Sequence, residues 1–352
     1  MKAQEILQQR LVNQQIGNSS CSTPAELVSW MGAVQAQDYT MAQWALGLRL
    51  GQATESLIEK SIAHGEILRT HILRPTWHFV TPADIRWMLQ LTAPRIHTYM
   101  RTYNRKLELD DAIFRKSLKV LEKILRDGNA LNREEIALAL NSARINTESL
   151  RLNHILVYAE LEALICSGSK KGKQITYALL EERVPPVAAL TKEESLHELA
   201  LRYFQSHGPA SLKDFTWWSG LSAADARRAQ ELIGDKLQWV TLGAENLAFI
   251  EREKPPLKKN TGIILLPNYD EYLVSYADRT AMLGKGINTL SRDGNPIFAN
   301  TIIINGKVEG SWKRTVKTNS VVIHTEPFIQ LTSSQEKQIE HASQQFRRFL
   351  EK

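Results

Sequence analysis

Ile67-Leu68-Arg69-Thr70-His71-Ile72-Leu73-Arg74-Pro75-Thr76-Trp77-His78-Phe79-Val80 predicts two short β-strands joined by a turn at Arg74-Pro75. Branched and aromatic residues suit a pleated, half-buried surface. Proline fixes its own φ and so favours the turn. Helical patterns precede this hairpin. One covers about Gln4 to Val12, and a second starts at the Thr23-Pro24 cap and runs to Gln35. A third carries Trp44, Leu46 and Leu48, and a fourth covers about Thr54 to His64. Helices followed by a basic two-stranded hairpin give the outline of a winged helix. Thr81-Pro82-Ala83-Asp84 then caps a helix from Ile85 to Leu91.

The outline recurs twice. A short helix opens at Leu131 to Ala137, and a longer one runs from about Leu152 to Ile165. Gly168-Ser169-Lys170-Lys171-Gly172-Lys173-Gln174 then forms a cationic tip before a strand at Ile175 to Leu180. After Pro185-Pro186, a helix from Lys192 to His207 is followed by one ending at Gly220 and one capped by Ser222. Leu237 to Thr241 and Leu247 to Glu251 make a hairpin across Gly243. Beyond a linker at Glu253 to Asn260 the pattern changes. Gly262 to Leu266 reads as a buried strand, and Asn305-Gly306 is a strong two-residue hairpin signal. Ser320 to His324 adds a strand, and a helix from Ser334 to Leu350 closes the chain. The expected fold is α+β and mainly helical. It comprises tandem winged-helix units at 1–95, 96–185 and 186–255, then a small antiparallel β-rich domain at 262–352.

Composition limits the function. Hydrophobic residues make up 43% of the 352 and charged residues 23%, which suits a globular protein with a proper core. Lys and Arg total 44 against 38 Asp and Glu, a net charge of +6 that suits a polyanionic partner. Cys21 and Cys166 alone make neither a disulfide framework nor a cysteine zinc site, and fit a reducing cytoplasm. The polar start is unlike a signal peptide, and no apolar run nears a membrane span in length. HExxH, GxxxxGK[ST], GxSxG and a post-strand GxGxxG are all missing, and the nine histidines are scattered. No metal or cofactor is expected.

Gly32-Ala33-Val34-Gln35-Ala36-Gln37-Asp38-Tyr39-Thr40-Met41-Ala42-Gln43-Trp44 places two amides, Gln35 and Gln37, at a helix–helix junction. They can face a shared cleft or simply tie two helices together. Asp38 suits a helix cap, or adds a negative charge where it faces the cleft. Thr76 and His78 fit either a DNA contact or a structural hydrogen bond, and Arg69 and Arg74 fit phosphates. Lys170, Lys171 and Lys173 fit phosphate contacts or an ordinary solvated loop. Asp270 and Glu271 follow a buried strand and are the better carboxylate candidates for chemistry, while a turn or a salt bridge to Arg279 fits them more simply.

The ordered blocks Gly32-Ala33-Val34-Gln35-Ala36-Gln37, Arg69 with Arg74-Pro75-Thr76-Trp77-His78, Trp218 to Ser222, Leu265-Leu266-Pro267 with Asp270-Glu271-Tyr272, and Asn305 to Trp312 carry a resemblance. Together they resemble the winged-helix DNA glycosylases of the AlkZ and YcaQ (AlkX) type. Gln-x-Gln sides with the AlkZ-like branch, where the other carries Gln-x-Asp. The resemblance implies a C-shaped body with a DNA channel, and monomeric action on double-stranded DNA bearing alkylated bases. It implies hydrolysis of N-glycosidic bonds of alkylated purines, crosslinked ones included, with Gln35 and Gln37 as the catalytic pair. It also implies a β-hairpin that approaches the lesion, whose position the sequence leaves open. A non-catalytic winged-helix DNA-binding protein or regulator fits the same charge and outline.

Overall fold

The hairpin at Leu68 to Val80 closes as foreseen, and the second helix before it ends sooner. The computed structural model describes residues 1–17, 19–251, 262–284, 295–317 and 320–351. The expected linker at Glu253 to Asn260 lies outside them. Helix α1 (Ala3–Asn13) buries Ile6, Leu7, Arg10 and Leu11 at helical spacing. Helix α2 (Pro24–Met31) starts in a capping box, with Thr23 Oγ1 accepting from the Glu26 amide at 3.2 Å. It stops at Met31 because Gly32 adopts φ +78°, which ends the helical path. The expected run to Gln35 is therefore replaced by a short strand, β1 (Val34–Gln35). The glutamine pair sits at a strand-to-helix junction.

Asp38 caps the next helix, α3 (Tyr39–Leu50), and α4 spans Glu55–Ala63. Strands β2 (Leu68–Ile72) and β3 (Thr76–Val80) pair antiparallel, Leu68 opposite Val80 and Ile72 opposite Thr76. Helix α5 (Pro82–Lys106) runs far beyond the expected end at Leu91 and carries Pro94 inside it. Proline forfeits one backbone hydrogen bond, but buried Ile96 and Met100 extend the apolar spacing past it. Helix α6 (Asp111–Leu125), capped by Asp110, was not foreseen from the sequence.

The second repeat then has the complete winged-helix order. After α6 come β4 (Leu131–Asn132), α7 (Arg133–Ser142), α8 (Arg151–Leu161), β5 (Ile165–Ser167) and β6 (Thr176–Leu179). Their sheet order is β4-β6-β5, over a core that includes Leu121, Leu125, Ile136, Leu140, Ile155 and Leu179. Helix α8 ends before Ile165 because Ala163 takes φ +55°, freeing Ile165 to begin a strand. After the one-turn α9 (Leu180–Arg183), the third repeat follows the same order. It comprises α10 (Lys192–Ser206), a bridge strand at Ala210, α11 (Leu212–Ser219), α12 (Ala223–Ile233), β7 (Leu237–Leu242) and β8 (Glu245–Ile250).

The tail holds β9 (Ile263–Leu266), α13 (Glu271–Val274), β10 (Thr301–Ile304), β11 (Lys307–Lys317), β12 (Ser320–Pro327) and α14 (Ser333–Leu350). Its sheet order is β12-β11-β10-β9. Asn305 (φ 51°) and Gly306 (φ 80°) make the left-handed turn that joins β10 to β11. The chain divides into two units. One comprises residues 1–59, 196–218 and the chain from 222 onward, and the other residues 60–195 and 219–221. No helix among the described residues is long and apolar enough to cross a membrane.

In the first unit, α14 packs on the tail sheet and on α3. Phe346 is fully buried, with the rings of Trp44 and Trp312 each 5.0 Å away and edge-on. Phe349 lies so close to Gly47 that a Cβ there would meet its ring at 2.5 Å. Removing a buried aromatic ring costs about 3–5 kcal/mol, a large share of the ~5–15 kcal/mol that holds a domain folded. Phe346→Ala is therefore expected to lower the urea midpoint sharply, with the loss read by far-UV circular dichroism. Gly47→Ala is expected to destabilise in the same assay, because a closely packed ring has to move.

Candidate active site

The glutamine motif is held by one strip of chain. Leu265, Asn268, Asp270 and Glu271 each grip the segment between Gln35 and Arg49. Glu271 Oε1 accepts the Gln35 main-chain N–H at 2.6 Å. Asn268 Nδ2 reaches Asp38 Oδ2 at 3.4 Å. The Leu265 carbonyl accepts from Trp44 Nε1 at 2.8 Å. Asp270 receives Arg49 on both carboxylate oxygens, at 2.8 Å each. Strand β9 and the one-turn α13 thus act as a splint along β1 and α3.

The carboxylates in this splint are used up internally. Asp270 also caps α13, accepting from the Tyr272 amide at 2.8 Å. Arg49 further donates to the Gln14 carbonyl at 2.9 Å and the Ala45 carbonyl at 3.0 Å. Burial works against its charge, but the paired Asp270 outweighs that and holds the guanidinium above its ordinary range. The partner of this acid pair is therefore Arg49 and not Arg279, whose Nε donates to the Leu273 carbonyl at 2.7 Å. Glu271 is fully buried, and its Oε2 accepts from Trp218 Nε1 at 3.1 Å and from the Ser275 hydroxyl. His207 Nε2 lies 3.5 Å from the same oxygen. Burial pushes the His207 pKa down, so this ring is neutral near pH 7.

Gln35 is 7% exposed, Ala36 is fully buried and Gln37 is exposed. Asp38 has the capping role, with Oδ1 accepting from the Met41 amide at 3.1 Å. Arg314 of β11 carries its guanidinium 5.6 Å from the Phe346 ring, with NH1 3.4 Å from Met41 Sδ. Burial lowers its pKa, while Asp38 and Glu55 favour its charge. Beyond Trp312, the hairpin of β11 and β12 exposes Val316 and Val322 alongside Lys313 and Lys317.

The second unit holds the remaining candidates on two hairpins. Arg69, Thr76 and His78 lie on β2 and β3, with Arg74 in their turn. Arg69 is buried, its guanidinium 4.3 Å over the Trp77 ring and its main-chain N–H donating to Ser167 Oγ at 2.8 Å. His78 is fully buried, and its Nδ1 lies 2.9 Å from the Thr76 carbonyl. Arg74 and Thr76 are half-buried. Lys170, Lys171 and Lys173 occupy the loop between β5 and β6, where Lys171 pairs with Glu135 at 2.9 Å. That contact and the Asn132 amide, the larger cause, pull the Glu135 pKa down. His71 is paired with buried Glu160 behind the first hairpin. Burial pushes the Cys166 thiol up to about 12, so it is no nucleophile at neutral pH. No cluster of three or more potential metal ligands occurs among the described residues.

Among these groups, sequence reading missed the splint. Its signal was present in Leu265-Leu266-Pro267-Asn268-Tyr269-Asp270-Glu271, where two acids and an amide follow an apolar strand. What could not be read was which distant residues they hold.

Comparison with known proteins separates the enzyme from the regulator. The chain is similar to an interstrand DNA cross-link repair glycosylase of Streptomyces sahachiroi, at 22% identity over 330 residues, covering 89% of this chain and 88% of that protein. Its fold is similar to the solved structure of the Streptomyces sahachiroi DNA glycosylase AlkZ, with a TM-score of 0.78 at 20% identity, over 99% of this chain and 96% of that one. The family model described as DNA glycosylase AlkZ-like matches residues 28–349. Since that match takes in the glutamine junction, both later winged-helix repeats and the tail sheet, the chain belongs to the AlkZ-like family and is a DNA glycosylase.

Proposed function

We propose that this glycosylase hydrolyses the N-glycosidic bond of cationic, N7-alkylated purines, and that Gln35 and Gln37 position the attacking water. An N7-alkylated purine carries positive charge, so it departs with the bond's electron pair and needs no protonation by an acid. The deoxyribose becomes oxocarbenium-like. Water then adds at C1′ and loses its proton to solvent. Amide oxygens are weak bases, but they can accept hydrogen bonds from that water and turn their dipoles towards the sugar's positive charge. The observation that carries this reading is the splint. It fixes the Gln35 main chain through a buried carboxylate while the nearby acids are all engaged in structure. A buried, fully engaged carboxylate suits holding a motif in place better than exchanging protons.

Interstrand crosslinks joined through N7 of guanine fall within the same scheme, since each crosslinked base is itself cationic. We assign the lesion-facing hairpin to β11 and β12, supported by its exposed valines and lysines. Arg69, Arg74, Thr76, His78, Lys170, Lys171 and Lys173 are proposed to serve the DNA, either by contact or by shaping the wings that carry it. Three winged-helix units are proposed at 1–95, 96–185 and 186–255, with a β-rich domain at 262–352; the recurring element order supports the division, and α5 runs across its first boundary.

Wild-type protein incubated with duplex DNA bearing N7-methylguanine should yield abasic sites, read as strand breaks after alkali. Gln37→Ala and Gln35→Ala are expected to slow release by about 10²-fold, the scale of losing one preorganised polar group at a reacting centre. Release from neutral lesions such as hypoxanthine should be undetectable. Equal rates for wild type and Gln37→Ala would refute the assignment.

Glu271→Gln tests the splint. Its amide N–H must face either the Gln35 N–H or the donors from Trp218 and Ser275, leaving one donor unmatched. A stability loss of about 1–3 kcal/mol is expected, together with a fall in kcat at unchanged KM. Asp270→Asn leaves Arg49 charged and buried without its counterion. It should cost about 3–5 kcal/mol, visible as a lower urea midpoint.

A further inference from the structure

The last turns of α5 carry an exposed surface that contains none of the splint residues. From Asp84 to Glu108 the sequence contains no other acidic residue, while Arg86, Arg95, Arg101, Arg105 and Lys106 all lie on this helix. Arg101 and Arg105, with His97 and Asn104, line a cleft of about 710 Å³ whose other walls include Glu108, Asp110, Asp111 and Glu162. Those two arginines therefore have acidic neighbours.

Another face tells a different story. Ile85, Met88, Leu89, Thr92 and Ile96 make the buried seam of α5. The same three- and four-residue spacing continues to Tyr99 and Tyr103. There the seam is exposed, at 64% for Tyr99 and 51% for Tyr103. The two rings lie 6.3 Å apart, and Lys106 Nζ is 6.0 Å from the Tyr103 ring. Arg95 lies one turn before Tyr99 and is exposed. Helical geometry places Arg95, Tyr99, Tyr103 and Lys106 along one stripe. One side of the helix end stays packed, with Met100 buried and Asn104 Oδ1 2.7 Å from His154 Nδ1, and the other side is an aromatic stripe flanked by cations.

We infer that this stripe binds unpaired nucleotides of single-stranded DNA. Paired bases in a duplex keep their ring faces stacked, so phosphate contacts to duplex would call for the cations alone. Exposed tyrosine faces beside cations match a strand whose bases are free to stack, with the charges following its phosphates. A second copy of the chain fits poorly, because it would bring another acid-free, basic helix against this one. The inference rests on DNA being the substrate, which the family supplies, and not on the chemistry of Gln35 and Gln37.

The test is equilibrium binding by fluorescence anisotropy, with a blunt duplex and the same duplex carrying a single-stranded overhang. Wild type should bind the overhang DNA more tightly. The Tyr99→Ala/Tyr103→Ala double variant should lose about tenfold or more of overhang affinity, with blunt-duplex affinity unchanged. Tyr99→Phe/Tyr103→Phe should keep the gain, because the ring faces remain. Lys106→Gln should flatten the salt dependence of overhang binding. The proposal is overturned if wild type shows no overhang gain, or if the alanine variant keeps it. It is equally overturned if that variant loses blunt-duplex affinity to the same degree, or if the stripe instead sets a monomer–dimer equilibrium seen by sedimentation. Base release from blunt duplex bearing N7-methylguanine should stay at the wild-type rate in the alanine variant. That arm separates a failed stripe from a failed glycosylase assignment.

Discussion

A fully buried carboxylate, Glu271, accepts the main-chain N–H of Gln35 at 2.6 Å, and much of the first unit is arranged to make that contact possible. A carboxylate removed from water is unfavourable unless hydrogen bonds replace the solvent. Here they come from the Gln35 amide, the Trp218 indole and the Ser275 hydroxyl. Each donor sits on a different piece of chain: β1, α11 and the residue just past α13. Satisfying one acid therefore aligns three segments that are remote in sequence. Asp270, next to it, does the same for Arg49 and the first turn of α13. The arrangement is costly to break, since losing any one partner leaves a buried charge or donor unmatched.

The same constraint fixes the backbone on both sides of the glutamine pair. A glutamine side chain has several rotatable bonds, and holding it in one geometry costs about 1.5–2 kcal/mol of rotamer freedom. Fixing the main chain on both sides of the pair reduces what binding must still order. Gln35 is fixed by Glu271, and Asp38, just after Gln37, is fixed by its cap on α3 and by Asn268. The motif is thus prearranged in its backbone.

Local signals in the sequence were read well, and their distant partners were not. The hairpins at Thr76, at Asn305-Gly306 and across Gly243 announced themselves because turn chemistry and alternation are nearest-neighbour properties. The capping roles of Thr23, Asp38 and Ser222 were legible for the same reason. The end of α2 was misread because apolar Ala33 and Val34 continue a helical pattern that the positive φ of Gly32 interrupts. The length of α5 was missed because Pro94 looks like a stop, although tertiary packing of Ile96 and Met100 carries the helix through. Helix α6 was overlooked between two stronger signals. In the candidate site, Gln35 and Gln37 could be singled out only through the ordered family blocks. Glu271 and Arg49 could not, since pairing at a separation of more than 200 residues leaves no local trace.

The hairpin of β2 and β3 shows a second way of making a charged residue useful without leaving it in water. Arg69 is buried, yet its guanidinium lies 4.3 Å over the Trp77 ring and its main-chain N–H donates to Ser167 Oγ. A guanidinium is weakly hydrated and stacks well on an aromatic face, which lysine at this position would do less well. The arginine thereby stiffens the strand whose opposite register carries His78 and Thr76. His71, on the same strand, is paired with buried Glu160 and anchors the hairpin from α8. Arg69 and His71 are thus each held by a neighbouring group within the fold.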